Sequence, residues 1–241
     1  MSDKVLGIVI PVWNNWNYTK RALQDLLKLP KDHVIIVVDN GSTDETKDLT
    51  DKGFDGKVVV HRFGANLGFA KACNAGFAVG VDLGFENIMF LNNDIRVLKD
   101  HETWTQGLIS SARKGFIVGP TVGCLDEKLA FVCEASKWPT RGYGYLSGWN
   151  ITASVETWNK LVIEDTARPF TVCPGPFSTE FGLAYFEDTD MGLRAREQKI
   201  PCEVVSVPVN HFGKATSTKL GLSGLYLHAK PIFLKKWEGR V

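Results

Sequence analysis

The chain has 241 residues, with 28 Lys and Arg against 27 Asp and Glu, a formal net charge of +1, 44% hydrophobic and 23% charged residues. This is the composition of a globular protein with room for a sizeable core, and the charge balance excludes attachment to nucleic acid by bulk charge, though not by a local basic patch. No apolar run approaches the roughly 18 residues of a spanning helix, the opening Met1 to Ile10 reads as a strand rather than a secretory leader, and five cysteines (Cys73, Cys124, Cys133, Cys173, Cys202) without a CxxC argue for reduced thiols in a cytosolic protein.

In chain order, Val5 to Val12 is the first strand. Tyr18, Ala22, Leu23, Leu26 and Leu27 share one helical face, with Pro30 just past its end. Val34 to Val38 is apolar without alternation, the mark of a strand buried on both faces. The turn-rich run Asp39 to Asp44 follows, where Thr43 or Asp44 caps a short helix. Val58 to Val60 is a third strand, Phe69 to Val81 a helix rich in small residues, and Ile88 to Leu91 a fourth strand. This βαβαβαβ order predicts an α/β fold with a mostly parallel sheet and helices on both faces.

The second half is less regular. Thr103 to Lys114 reads as a helix, Phe116 to Val118 as a strand, and 120–150 as a Gly- and aromatic-rich stretch of weak strand signals. Ser154 is placed as the N-cap of a short helix to Leu161, and 162–183 as a long loop. A helix over Asp188 to Gln198 and a strand over Glu203 to Val207 come next. The tail Leu220 to Trp237 is a helical or irregular packing arm interrupted by Pro231.

In open parallel sheets the ligand site lies beyond the carboxyl ends of the strands. Three polar segments fall there: Pro11-Val12-Trp13-Asn14-Asn15, Asp39-Asn40-Gly41-Ser42 and Asn92-Asn93-Asp94. The first βα turn has no glycine, so the Gly-rich dinucleotide fingerprint is missing, and the phosphate-cradling P-loop pattern is also absent.

Seven segments carry a resemblance: Val9 to Asn14, Val37 to Asp44, Asn66 to Ala70 with Asn74-Ala75-Gly76, Leu91 to Asp94, Tyr145 to Gly148, Phe186 to Arg194, and Asn210 to Gly213. In that order, over roughly residues 5–215, the chain resembles the inverting glycosyltransferases of family 2 with the GT-A fold. Its Val-Asp-Asn-Gly-Ser-Thr-Asp and Asn-Leu-Gly-Phe-Ala segments are most similar to the rhamnosyl- and galactofuranosyl-transferase branch. The resemblance implies a single GT-A domain over 1–219, with a nucleotide-binding half at about 1–98, an acceptor-binding half at about 99–219, and a C-terminal packing arm over 220–241.

It also implies roles. The donor is a nucleotide-diphosphate sugar, UDP- or dTDP-linked, and the metal is Mn²⁺ or Mg²⁺ held by Asp94 and His211. Only Asp94 keeps a carboxylate where the family has paired acids, since Asn92 and Asn93 stand in the other places. His33, His61, His101 and His228 lack such a context. Pro11, Trp13 and Asn14 wall the base; Asp39 meets the base or ribose; Asn66, Gly68, Lys71, Asn93 and Asp94 face the base and diphosphate. Asp188 is the general base and Glu187 orients the acceptor, while Asp190 is structural and pairs with Arg194. Trp149 and Tyr145 contact the sugar or the acceptor. The acceptor is a glycan or a lipid-linked glycan, the loop 165–182 closes over it, and the basic tail (Lys230, Lys235, Lys236, Arg240) offers a peripheral contact at the inner face of a membrane. Two alternatives stand beside this. One is a non-catalytic nucleotide-sugar or glycan-binding module, motivated by Asn92 and Asn93; the other is a transferase that modifies nucleic acid or protein.

Overall fold

The computed structural model describes residues 4–52, 54–163, 174–213 and 222–241. The first half is β1 (Leu6–Val12), α1 (Trp16–Leu26), β2 (His33–Asp39), a 3₁₀ turn (Glu45–Asp48), β3 (Val58–Arg62), α2 (Phe69–Asp82) and β4 (Asn87–Leu91). The second half is β5 (Ile95–Val97), α3 (Gln106–Ala112), β6 (Ile117–Gly119), β7 (Val122–Leu125), β8 (Phe131–Ala135), β9 (Tyr143–Leu146), β10 (Asn150–Ser154), α4 (Val155–Asn159), α5 (Glu187–Glu197), β11 (Cys202–Val204), β12 (Val209–His211) and α6 (Leu222–Trp237).

Seven strands form the main sheet in the order β11-β6-β10-β4-β1-β2-β3. β1 runs parallel to β2 and β4, β2 to β3, and β6 to β11. β10 alone is antiparallel, between β4 and β6. Its first residues therefore lie beside the outgoing end of β4, with Asn150 opposite Leu91. A three-stranded sheet, β8-β7-β9, and a two-stranded ribbon, β5-β12, account for the other strands among the described residues.

Alternation along the buried strands divides the core into two layers. Ile8, Ile10, Val37 and Met89 face one side with Ala22, Leu23 and Leu26 of α1 and Leu108 and Ala112 of α3. Val9, Ile36, Val38 and Phe90 face the other, with Ala72, Cys73 and Ala75 of α2, Trp158 of α4 and Met191 of α5. The small residues of α2 let it lie close on β1: a Cβ on Gly76 would fall 2.2 Å from Val9 Cγ1. A third cluster joins α5 to α6 through Phe181, Leu193, Ala229, Phe233 and Trp237.

The expected parallel-sheet α/β architecture is present. Asp44 is the residue that caps, accepting from the Thr46 N–H at 3.0 Å. Ser154 caps α4 through the Thr157 N–H at 3.1 Å. Three expectations need correction. The helix predicted over 103–114 is confined to Gln106–Ala112, and the strand predicted over 203–207 ends at Val204. Pro231 does not interrupt the tail, because α6 runs through it. The carbonyl that the proline leaves without a donor belongs to Leu227, 66% exposed and open to water, while fully buried Ala229, Phe233 and Trp237 pin the helix on both sides of it. Much of the expected loop over 162–183, and the join at 219–220, lie outside the described residues. No helix among those described is long and apolar enough to cross a membrane.

Candidate active site

A cavity of about 750 Å³ opens where β1 and β4 leave the main sheet and β10 enters it. Ten of the residues singled out from sequence line it: Pro11, Trp13, Asn66, Asn93, Asp94, Tyr145, Trp149, Glu187, Asp188 and His211. Asn14, Asp39, Gly68 and Lys71 are not on its wall.

Asp94 and His211 meet because β5 and β12 pair antiparallel, with Ile95 opposite His211. The Asp94 carbonyl accepts from the Phe212 N–H at 2.9 Å, closing the ribbon. His211 Nε2 then lies 3.1 Å from Asp94 Oδ1 and 3.3 Å from Asn92 Nδ2. Trp149 stacks flat on the imidazole, ring centroids 4.9 Å apart and planes 8° from parallel. Its indole N–H donates to Thr121 Oγ1 at 3.2 Å, fixing the stack from behind. The ribbon itself is braced by α1: buried Asp25 accepts from the Val97 N–H at 3.1 Å and pairs with Arg96 at 3.0 Å. A carboxylate and an imidazole at this separation fit Mn²⁺ or Mg²⁺, which take hard oxygen donors and an occasional imidazole. Among the described residues no group of three or more His, Cys, Asp and Glu converges on one point, so a cation here would complete its shell with substrate oxygens and water.

Glu187 and Asp188 open α5 after two left-handed residues, Tyr185 (φ 84°) and Phe186 (φ 70°). Asp188 is half-buried. Its Oδ2 accepts from the Gly148 N–H at 2.8 Å and its Oδ1 from the Thr189 N–H at 2.7 Å. Burial pushes its carboxyl above the ordinary range, and these donors pull against that. Gly148 is needed for the approach, since a Cβ there would stand 3.0 Å from Asp188 Cβ. Glu187 is 5% exposed and its Oε1 has no partner among the described residues. Burial, with the neighbouring Asp188 charge adding to it, pushes its pKa up to about 8. Tyr145, behind Asp188, is also raised, chiefly by burial. Asp190 faces away into the protein and pairs with Arg194 at 2.8 Å.

On the nucleotide side the loops are tied to one another. Asp39 is fully buried, with Oδ1 accepting from the Ser42 N–H at 2.8 Å and Oδ2 paired with Arg62 at 2.6 Å. Both carboxylate oxygens are thus engaged within the protein. Asn14 (φ 56°) accepts from the Thr43 and Asp44 N–H groups at 2.8 and 3.2 Å, knitting the loop after β1 to the loop after β2. Asn66 accepts from Asn40 Nδ2 at 2.9 Å and from the Gly68 N–H at 3.0 Å. Gly68 (φ 97°) leaves no space for a side chain, as a Cβ would lie 2.6 Å from the Gly182 carbonyl. Lys71 is half-buried on α2.

Asn40, from the polar segment after β2, lines it as well, and the cavity also takes residues that sequence reasoning missed: Phe131, Glu134, Leu183, Tyr185 and Tyr226. Tyr226 comes from α6 and carries no motif. Glu134 sits on β8, paired through β7 with the strand that precedes Ser147, whose hydroxyl donates to it at 2.7 Å, a proximity that only the fold reveals.

Comparison with known proteins agrees with this geometry. The model of glycosyl transferase family 2 matches residues 7–130. An uncharacterized protein of Mycobacterium tuberculosis is 28% identical over 217 residues, 88% of this chain and 76% of that protein. Among solved structures, GalNAc-T7 with UDP, GalNAc and Mn²⁺ superposes with a TM-score of 0.62 at 16% identity, over 86% of this chain and 43% of that one. The mannosyltransferase PcManGT from Pyrobaculum calidifontis, in complex with GDP-Man and Mn²⁺, gives 0.55 at 14% identity, over 85% of this chain and 56% of that one. The chain thus spans about half the length of these two structures and shares their fold. It belongs to glycosyl transferase family 2 and is a glycosyltransferase with the GT-A architecture.

Proposed function

We propose that this family 2 member moves a sugar from a nucleoside-diphosphate donor to an acceptor hydroxyl in one displacement, with inversion, and with Asp188 as general base. The observation that carries the reading is the meeting of the Asp188 carboxylate and the Asp94–His211 pair on one cavity. Asp94 and His211 would hold a divalent cation, Mn²⁺ or Mg²⁺, which would supply positive charge for the diphosphate leaving group. Asp188 takes the acceptor proton. The Gly148 and Thr189 N–H groups hold its carboxylate fixed while Oδ2 and Oδ1 keep lone pairs for the hydroxyl. Glu187, protonated at neutral pH by its burial, offers a hydrogen-bond donor to the acceptor. Trp149 aligns His211, and Tyr145 backs Asp188.

Pro11 and Trp13 wall the base, with Asn66 and Asn93 toward the ribose and diphosphate. Asp39, Asn14 and Gly68 act in this reading by ordering the loops that receive the nucleotide. The donor nucleotide is UDP or dTDP, the sugar is of the rhamnosyl or galactofuranosyl kind, and the acceptor is a glycan or lipid-linked glycan. Residues 1–98 bind the donor, 99–219 the acceptor, and 220–241 pack against the acceptor half, with Tyr226 on the cavity wall. That Mn²⁺ accompanies the nucleotide in both superposed structures favours a cation here. A cytoplasmic enzyme at the inner face of a membrane would use Lys230 and Lys235, because Lys236 and Arg240 are engaged with Glu180 and Glu197.

The test is a panel of nucleotide sugars and acceptors, with Mn²⁺ or with EDTA, and NMR of the product anomer. Turnover is expected only with the cation, and the product inverted. Asp188→Asn is expected to lower turnover by about 10²–10⁴-fold while leaving the thermal shift given by the nucleotide and Mn²⁺ intact. Full activity in that variant overturns the base assignment, and full activity in EDTA overturns the cation.

A further inference from the structure

The acceptor-side wall carries a feature that the transfer reaction does not use. In the three-stranded sheet β8 is the edge strand, and Cys124 of β7 stands directly opposite Cys133 of β8. Opposed residues of an antiparallel pair have Cα atoms about 4.5 or 5.5 Å apart and point to the same face. Both spacings lie inside the roughly 4.4–6.8 Å that a disulfide spans. Cys133 is exposed and Cys124 is buried, one accessible partner and one shielded. The other described cysteines differ: Cys73 is completely buried, and the Cys202 thiol donates to the Ile200 carbonyl.

Register explains why this pair matters to the cavity. The ladder shifts between Cys124 and Leu125, so that Phe131 opposes Leu125 and Val132 is the extra residue of a bulge. Leu125, Phe131 and Glu134 line the cavity, and the two cysteines lie on the opposite face of the same two strands. A covalent bond between them would fix the bulge without placing any group in the cavity.

We propose that Cys124 and Cys133 are a thiol-modification site, a cross-strand dithiol that closes to a disulfide with a low-molecular-weight disulfide as oxidant and staples the acceptor-side wall. The Cys133 thiolate attacks one sulfur of the oxidant, whose S–S bond breaks and releases the first thiolate. The Cys124 thiolate then attacks the Cys133 sulfur of the mixed disulfide and expels the second. The protein loses two electrons and two thiol protons, and the oxidant leaves as two thiols. Cys133 is exposed and Cys124 is buried, which assigns the first attack on the oxidant to Cys133.

The experiment treats the full chain with oxidised glutathione and maps its peptides by mass. The wild type is expected to lose two titratable thiols, to show the 124–133 linkage, to retain no glutathione at these positions, and to recover both thiols in dithiothreitol. Cys124→Ser is expected to trap one glutathione on Cys133, and Cys133→Ser to leave Cys124 unmodified. Amide exchange across β7 and β8 should slow on oxidation. An unlinked wild type, whether unreacted or carrying stable glutathione on Cys133, overturns the proposal, as does a Cys133→Ser variant in which Cys124 is glutathionylated like any exposed thiol. The wild-type map decides the matter by itself if a variant fails to fold.

Discussion

Glu187 and Asp188 are adjacent acids at the start of one helix, yet their surroundings separate them. Asp188 has backbone donors on both oxygens, whereas at Glu187, whose Oε1 has no partner among the described residues, burial outweighs the backbone donors it does have. Burial thus gives Glu187 a carboxyl that keeps its proton to about pH 8 in the folded protein, against an ordinary 4.5. Between those values the folded state binds a proton that the unfolded chain has released, so stability falls as pH rises. Glu187→Gln should therefore raise the thermal midpoint at pH 8 and flatten its decline from pH 4.5 to 8, in a calorimetric pH series. Asp188, also raised, contributes the same sign and leaves a residual slope. An unchanged decline in the variant would place its origin elsewhere. At this scale the sequence revealed which titratable residues belong to the cavity, since Asp94, Asp188 and His211 stand in recognisable motifs. It did not reveal what holds Asp39. Arg62 is its partner only because β2 and β3 run parallel in a register that sets the two residues side by side, and register is not written in either strand alone.

Elements with long apolar runs were legible, because burial on both faces leaves no other reading for Val34 to Val38 or Ile88 to Leu91. The stretch 120–150 was not, because its strands are four or five residues long and its glycines make room for aromatic rings on other parts of the same stretch. Gly123 lies under the Tyr145 ring and Gly144 under Trp138. Short strands of this kind are stabilised by the neighbours they pair with rather than by their own propensity. α2 shows the reverse case, a helix whose sequence carries its packing. Ala72, Ala75 and Gly76 are small because β1 lies against them. Gly76→Ala adds one methyl 2.2 Å from Val9 Cγ1, and the helix must move off the sheet to accept it. The gain in helix propensity is smaller than that strain, so a net loss of about 1–3 kcal/mol is expected in urea unfolding. A gain in stability would mean that α2 rides further from β1 than described.

Across the whole molecule, α6 is the piece the sequence described least well. Its basic residues read as a solvent- or membrane-facing set, but Lys236 reaches Asp190 at 2.7 Å and Arg240 reaches Glu197 at 2.9 Å. Asp190 is the junction: it is fully buried, accepts from the Trp237 indole at 2.9 Å, and pairs with Arg194 of α5. The i,i+4 partner Arg194 was predictable from spacing, whereas Lys236 and Trp237 depend on where the chain returns. Asp190→Asn leaves two cations facing a neutral amide, and a loss of about 3–5 kcal/mol is expected from the denaturant midpoint. A change below about 1 kcal/mol would show that the carboxylate is dispensable to the docking of α6.

The one antiparallel strand described in the main sheet also has a consequence for how the protein is made. β4 is an apolar strand whose inner neighbour β1 precedes it, but its outer neighbour β10 follows much later, with Leu91 waiting for Asn150. At about 5–20 residues per second the ribosome needs on the order of 3–12 s to supply that partner. For that time the nascent chain presents Ile88 to Leu91 as an open hydrophobic edge, a surface that other nascent chains can extend. The step most exposed to aggregation during synthesis is thus the wait for a strand that, once seated, also delivers Gly148 and Trp149 to the cavity.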